Sequence, residues 1–78
     1  MSDPINHPSH YTHSRIEPID FIESLFASHP LARYSFHLGA TIKYVSRAGM
    51  KDDSLQDLRK AQWYLSRVIQ KLEEEKAK

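Results

Sequence analysis

The segment NHPSHY, which begins at Asn6, places two histidines and a tyrosine within a short stretch near the start of the chain. Imidazole nitrogens bind metal ions or donate hydrogen bonds to anions, and a phenolic hydroxyl donates to phosphate oxygens. Zinc needs ligands that converge tetrahedrally, and neither a thiolate nor an evident fourth ligand accompanies His7, His10 and His13. We therefore expect no metal site here and assign His7, His10 and Tyr11 to anion binding. The alternative is a turn capped by Asn6 with packed or solvated histidines.

Basic and aromatic side chains occur together on two later segments, and this mixture suits a phosphorylated ring. Arginine and lysine hold phosphate oxygens through charge-assisted hydrogen bonds, while tyrosine and tryptophan stack on a base. The candidate ligand-binding residues of these segments are Lys43, Tyr44, Arg47, Lys51, Lys60, Trp63 and Tyr64. Aromatic and arginine side chains are also enriched at protein interfaces. Contacts between protomers are therefore an alternative, and a pocket between protomers would combine the two.

Carboxylates indicate a third chemistry. Glu17, Asp20 and Glu23 are spaced three residues apart, and Asp53 and Asp57 lie at the start of the last predicted helix. Magnesium needs only one or two protein carboxylates when phosphate oxygens complete its shell. A magnesium-dependent nucleotide pyrophosphohydrolase is therefore possible in principle, although no complete E-x-x-E pair occurs on a second helix. Helix capping and the helix dipole explain the same acids without a metal.

No catalytic group stands out in the sequence. Gly39 and Gly49 are the only glycines, so the phosphate loop G-x-x-x-x-G-K-[ST] is absent, which excludes a self-sufficient kinase of the usual type. No nucleophile stands beside an activating base. We leave enzymatic activity open, and magnesium bound with a nucleotide is the one cofactor that we consider.

The residues before position 17 are predicted to form an irregular arm, and residues 17–78 a single helical domain. Pro4 and Pro8 exclude a regular helix through the arm, because proline lacks an amide N–H and clashes with the preceding turn. The segment EPIDFIESLFAS then predicts a first helix. Pro18 suits its first helical position.

Two longer helices are predicted to follow and to pack as an antiparallel hairpin. The second begins at Pro30 and ends at Gly49, which we expect in the left-handed conformation. The third spans residues 55–74, after a capping box formed by Ser54 and Asp57. The short connection AGMKDD favours the hairpin, with the first, shorter helix lying across it. The predicted fold class is a three-helix, all-α domain.

Helical periodicity predicts which faces form the core. The predicted core stripes are Ile19, Ile22, Leu25 and Phe26 in the first helix; Leu31, Tyr34, Leu38, Ile42 and Val45 in the second; and Leu55, Leu58, Gln62, Leu65, Ile69 and Leu72, flanked by Ala61 and Val68, in the third. The opposite faces carry Phe36, Ala40, Lys43 and Arg47 on the second helix, and Arg59, Lys60, Trp63 and Arg67, with Tyr64 at the edge, on the third. Both are mixed aromatic and basic, where a solvated face should be polar.

Composition limits the protein's class. A chain of 78 residues makes one domain with a thin core, and such domains often gain burial by self-association, so we expect a homo-oligomer. No cysteine is present, which excludes disulfides and thiolate metal sites. We find no signal peptide and no apolar run of membrane-spanning length, so we expect a cytoplasmic protein without a membrane partner. The net charge of +1 does not favour a nucleic-acid-coating protein.

Three motifs resemble, in order, the SaV-like family, a small domain of unknown function in bacteriophages and prophages. The first is N-H-P-x-H-Y, from Asn6 to Tyr11; the second is K-Y-x-x-R-A-G, from Lys43 to Gly49; the third is D-L-x-K-A-x-W-Y-L, from Asp57 to Leu65. A phage nucleotide kinase without ordinary kinase motifs is also similar to this family. The resemblance implies a phage or prophage origin, hence the cytoplasm of a bacterial host, and a role in nucleotide metabolism. Relatives often have asparagine where this chain has Ala40.

These observations favour one hypothesis and leave others open. The domain is expected to bind a nucleotide or a similar phosphorylated small molecule, with Lys43 and Arg47 on the phosphates and the histidine arm closing over the ligand. Arg47→Ala is expected to abolish binding without loss of helical signal. The alternative from another class is a protein-interaction or oligomerisation module that acts on a host or phage protein. A pyrophosphohydrolase and a nucleic-acid binder come third.

Overall fold

The computed structural model describes residues 15–50 and 53–77, and within these ranges the chain is helical with no strand. The helices are α1 (Pro18–Phe26), α2 (Ser35–Arg47) and α3 (Ser54–Ala77), and a 3₁₀ turn (Ala32–Tyr34) leads into α2. This confirms the all-α fold with a helical hairpin and one shorter helix. The predicted arm falls almost entirely outside the described residues.

Helix α1 begins as predicted and crosses α2 at a glycine. Glu17 has extended backbone angles (φ −71°, ψ 142°), and Pro18 occupies the first turn and is buried. Gly39 is the buried residue of α2. A β-carbon at Gly39 would lie 3.1 Å from Cγ2 of Ile22, so glycine lets the two helices approach closely. On the outer side of α1, Ile19 is 53% exposed, and its predicted core position is wrong.

Helix α2 begins later than predicted. The backbone N–H of Leu31 donates to Nδ1 of His29 at 2.9 Å, which makes a turn around Pro30 instead of a first helical turn. The α-helix begins only at Ser35. Proline allows this difference because it has no N–H to bond within a helix and therefore suits a turn equally well.

The end of α2 matches the prediction. Gly49 has φ +91°, a conformation that side chains with a β-carbon rarely adopt. The N–H of Ala48 donates to the carbonyls of Tyr44 and Val45, and that of Met50 donates to the carbonyl of Arg47 at 3.0 Å. The last helical carbonyls are thus satisfied locally, and Arg47 lies in the last turn, where a cation is favourable.

The start of α3 is capped by a different residue from the one predicted. Oδ1 of Asp53 accepts a hydrogen bond from the N–H of Gln56 at 2.9 Å, so Asp53 acts as the N-cap and Ser54 is the first helical residue. Asp57, predicted to complete a capping box, is instead buried and faces α2. The predicted Ser54–Asp57 capping box is therefore wrong, because the helix begins one residue earlier than that motif requires.

Helices α2 and α3 pack antiparallel through a narrow face. Ala61 and Val68, 4% and 3% exposed, are the buried hydrophobic residues of the described chain. The predicted stripe of α3 is largely outside this contact, since Leu55, Leu58, Leu65 and Ile69 are 59%, 47%, 42% and 48% exposed. The flanking small residues pack instead because they let the helix axes come closer than leucine would. Val45 of α2 was also predicted to lie in the core, but it is 54% exposed because α2 packs through a different face.

Candidate functional site

Three cations surround the ring of Tyr44 on the hairpin. Lys43 Nζ lies 5.6 Å, Arg47 Cζ 5.7 Å and Lys60 Nζ 5.4 Å from the ring centroid. Lys43 and Arg47 reach it from α2, whereas Lys60 reaches it from the facing side of α3. These distances are within the range of cation–π attraction. We call Lys43, Arg47 and Lys60, together with Tyr44, the cation cluster.

The aromatic ring at the centre of this cluster is continued by Tyr64 of α3. The rings of Tyr44 and Tyr64 are nearly parallel, with centroids 6.0 Å apart and planes at 10°. Tyr64 also contacts Phe36, His37 and Trp63 edge to face, at centroid distances of 6.1, 6.0 and 5.1 Å. Such offset and T-shaped geometries are the preferred arrangements of aromatic pairs. The site is thus built on an aromatic base that joins the two helices.

An ion pair holds one of the three cations in place. Nε of Arg47 lies 3.4 Å from Oδ1 of Asp57, whose side chain is only 7% exposed, against 22% for the arginine. The geometry does not make a hydrogen bond, and Nε is buried without another partner in the described chain. Asp57 therefore draws the Nε side of the guanidinium inward. The two terminal nitrogens, for which the described residues provide no hydrogen bond, remain suited to a planar, bidentate anion.

The electrostatics of the cluster favour an anion. Lys43 and Lys60 are exposed, and no carboxylate within the described ranges is paired with either of them. Within the described ranges, Asp57 is the carboxylate paired with a member of the cluster, through Arg47. Cations held close together repel one another, and a bound phosphate would relieve that repulsion. The arrangement can bind negative charge beside an aromatic face.

The structure brings together five of the residues predicted for the site, namely Lys43, Tyr44, Arg47, Lys60 and Tyr64. Trp63 touches Tyr64 but is 61% exposed. His7, His10, Tyr11 and Lys51 lie outside the described residues, so their predicted part in the site stays a prediction.

An open depression lies beside the cluster on α3. Its volume is about 450 Å³, and it is lined by Asp53, Leu55, Gln56, Arg59, Lys60 and Trp63. Lys60 therefore borders both the depression and the ring of Tyr44. The depression extends the site along α3, where Trp63 provides an exposed ring beside the half-buried Tyr64.

Sequence reasoning missed the place of two residues in the site. His37 was not considered, and Asp57 was assigned to a cap or to magnesium, yet both face the opposing helix. A heptad separates His37 from Tyr44 and Asp57 from Tyr64, so each pair shares one face of its helix. That seven-residue spacing was the sequence signal that could have assigned His37 and Asp57 to the site. It is obscured by the more apolar stripes on the other faces of the same helices.

The described chain provides neither a metal cluster nor a membrane span. Among residues 15–50 and 53–77, no three His, Asp or Glu side chains converge as metal ligands. Glu17, Asp20 and Glu23 remain on α1 or next to it, and Asp57 is paired with Arg47. No helix in these ranges has the length and hydropathy needed to cross a bilayer.

Comparison with known proteins finds a family but no described function. No curated protein and no solved structure matches the chain. A family model described as a protein of unknown function, DUF3310, matches residues 5–66. This range includes α1, α2, the whole cation cluster and the first half of α3. The chain therefore belongs to the DUF3310 family of proteins of unknown function.

Proposed function

We propose that this domain binds a nucleotide, or a similar phosphorylated and ring-bearing small molecule, at the cation cluster. The observation that carries the proposal is the convergence of Lys43, Arg47 and Lys60 on one tyrosine ring, where Arg47 alone has a carboxylate partner among the described residues. A purely structural cation–π contact needs one cation. Three cations near one ring leave excess positive charge, which a phosphate group would balance.

The aromatic surface next to the cations supports the same ligand class. Tyr44 and Tyr64 are half-buried and stacked, so their rings are held in position before a ligand arrives. Trp63 is exposed and stands edge to face against Tyr64. An exposed indole beside Lys60 suits stacking by a nucleobase whose phosphates lie on Lys43, Arg47 and Lys60.

The biological setting in this proposal comes from the SaV-like resemblance. It implies a phage or prophage protein in a bacterial cytoplasm, and a role in nucleotide metabolism similar to that of a phage nucleotide kinase. Neither phosphoryl transfer nor hydrolysis has an identified catalytic residue here. Binding is therefore the activity that we propose, with magnesium accompanying the nucleotide phosphates if it takes part.

A thermal-shift titration tests the proposal. The common ribo- and deoxynucleotides are titrated with and without magnesium against the wild type and the Lys43→Ala/Lys60→Ala variant. Ligand at 100 times its Kd stabilises a protein by about 2.7 kcal/mol, and each kcal/mol raises Tm by about 4–8 °C in a domain of this size. We expect a dose-dependent rise in the wild type and its loss in the double variant, because each charge-assisted hydrogen bond contributes roughly 1.5–3 kcal/mol.

Lys76→Ala is the matched control, because Lys76 is an exposed lysine in the last turn of α3, remote from the cluster. It should keep the wild-type response. A nucleoside without phosphate should give little shift, and inorganic phosphate a small one. Equal responses of the wild type and the double variant would contradict the proposal.

The other function classes predict different outcomes in the same measurement. A nucleic-acid binder would show affinity that falls steeply with salt and ignores base identity. A protein-interaction module would respond to no nucleotide at all. The exposed apolar side chains of α3 are the observation that favours a protein-interaction module.

A further inference from the structure

The outer face of α3 is apolar, regular and uncovered within the described chain. Its members, called the outer stripe from here on, are Leu55, Leu58, Gln62, Leu65, Ile69 and Leu72. Helix α2 packs on the neighbouring face, through Ala61 and Val68. Four members of the outer stripe remain 42–59% exposed, and Leu72 alone is half-buried. Contiguous exposed leucines on one face mark a contact surface.

The spacing of the outer stripe is that of helices that pair with other helices. Successive members are 3, 4, 3, 4 and 3 residues apart, which is the a/d pattern of a heptad repeat. The pattern runs through most of α3, whose 24 residues give a helix about 36 Å long. One such helix alone would be only marginally stable, but each α3 is already stabilised by its packing against α2. Two hairpins joined along this face would form a four-helix arrangement.

We propose that the outer stripe is the interface of a homodimer in which the two α3 helices pack antiparallel. The inference does not use the cation cluster, although Leu55 of the stripe and the neighbouring Arg59 also line the depression beside that cluster. It also moves the expected self-association from the aromatic-basic faces to the leucine face. The occupant is a second copy of this chain, because the same stripe is complementary to itself when one helix is reversed.

Charge favours the antiparallel direction. Arg59 follows Leu58 and Glu73 follows Leu72, and both leucines are seven residues from Leu65. When two α3 helices cross antiparallel at Leu65, Arg59 of one copy lies near Glu73 of the other, twice over. Both residues are exposed in the single chain, and neither forms an ion pair with another described residue. A parallel pair would instead bring the two acidic ends together.

The polar member of the stripe is consistent with a specific pair. Gln62 is exposed, and its amide both donates and accepts hydrogen bonds. A single polar residue at an a position lowers stability but selects register and partner number. In the antiparallel arrangement, Gln62 lies one helical turn from Leu65, so its amide is near the centre of the interface.

The core also requires a partner. Only Ala61 and Val68 are buried hydrophobic residues in the described chain, and no large side chain there is fully buried. A domain this small is marginal even with a complete core, and oligomerisation is one of the usual remedies. Covering the outer stripe would bury four large aliphatic side chains per chain at once.

The test measures the mass of the full chain in solution by light scattering after size exclusion, over a range of protein concentrations. We expect twice the chain mass of 9.1 kDa. Leu65→Lys should halve this mass, because two lysines would meet at the centre of the dimer. Val45→Lys is the matched control, since Val45 is also an exposed aliphatic residue (54%, against 42% for Leu65) but lies on α2, outside the stripe. It should leave the mass doubled.

Cysteine cross-linking tests direction without depending on a disruptive variant. The wild type has no cysteine, so Arg59→Cys and Glu73→Cys can be introduced separately and the two chains mixed under oxidation. Antiparallel packing predicts a disulfide between the unlike variants, because bridging needs Cα atoms within about 7 Å. Cross-links only between like variants would overturn the direction. A monomeric wild type, or a dimer unaffected by Leu65→Lys, would overturn the interface.

Discussion

The two ends of the α2–α3 hairpin are joined by the same kind of contact in different surroundings. At one end, Arg33 donates two hydrogen bonds to the carboxylate of Glu75, at 2.9 and 3.1 Å, and the hydroxyl of Tyr34 donates a third, at 2.7 Å. Both charged side chains are about half exposed. At the other end, Arg47 meets Asp57 at 3.4 Å with the carboxylate buried. The exposed ion pair has the better hydrogen-bond geometry, whereas loss of the buried ion pair should cost the protein more stability.

Exposure to solvent explains why the ion pair with the better geometry should contribute less stability. Water screens the exposed pair and hydrates its members when they separate, so such pairs contribute little stability. A buried carboxylate has no such alternative, and removing its partner leaves an uncompensated charge. The buried pair is also the one beside the cation cluster. The comparison therefore separates an ion pair that joins two helices from one that holds a binding group in position.

The largest expected effect comes from breaking the buried end. Arg47→Ala should lower the free energy of unfolding by about 3–5 kcal/mol, because Asp57 stays buried without its partner. Urea denaturation followed by circular dichroism measures it. Arg47→Ala was expected to remove ligand binding and leave the fold intact. Because the substitution should also destabilise the fold, ligand binding has to be tested with a different variant.

The double variant Arg47→Met/Asp57→Leu provides that test. Apolar replacement of a buried pair is often neutral or stabilising, so most of the lost stability should return while the ligand response does not. Should Arg47→Ala unfold at the same urea concentration as the wild type, Asp57 would not depend on Arg47.

A smaller effect is expected at the cap that begins α3 near the buried end. Asp53→Ala removes the acceptor for the N–H of Gln56 and should destabilise by about 1 kcal/mol. The first turn that carries Asp57 should loosen as well, which weakens the buried pair but not the exposed one. The urea midpoint measures the loss. Asp53→Asn keeps the acceptor and should stay near the wild type; an equal loss in both variants would assign the effect to charge instead of capping.

The smallest effect is expected at the exposed end. Arg33→Ala should move the urea midpoint less than either change above, and high salt should reduce the difference further by screening the wild-type pair. Salt should leave the Arg47→Ala effect largely unchanged, because its pair is buried. A large, salt-insensitive loss on Arg33→Ala would contradict the distinction between the two ends.

The exposed pair should show no titration of its arginine near neutral pH. Hydrogen bonding to Glu75 raises the pKa of Arg33 above its ordinary value, with further contributions from the Tyr34 hydrogen bond and from the charge on Glu75. A raised pKa means that the arginine's contribution is complete below the unfolded-state value and is lost only as pH rises through the folded-state value. The Arg33→Ala difference should therefore be the same at pH 7 and pH 9.

Local signals predicted the helices well and their facing surfaces poorly. Pro18 and Gly49 mark the start of α1 and the end of α2, because each restricts the backbone by itself. His29 and Asp53 were missed as capping groups, since a cap depends on which of several nearby polar atoms reaches the free N–H. The site residues were predicted as a set from their chemistry. Their convergence on Tyr44 was not predicted, because the residues come from two different helices.

The sequence alone determined that this protein is helical, where most of its helices begin and end, and which side chains share each helical face. Those properties follow from backbone restrictions and from a period of 3.6 residues, which are local. Tertiary structure decided which face of α3 meets α2. The leucine face is more hydrophobic, but Ala61 and Val68 allow closer approach, and Asp57 finds Arg47 only on that side. Periodicity shows which residues share a helical face, whereas packing between the helices decides which face is buried.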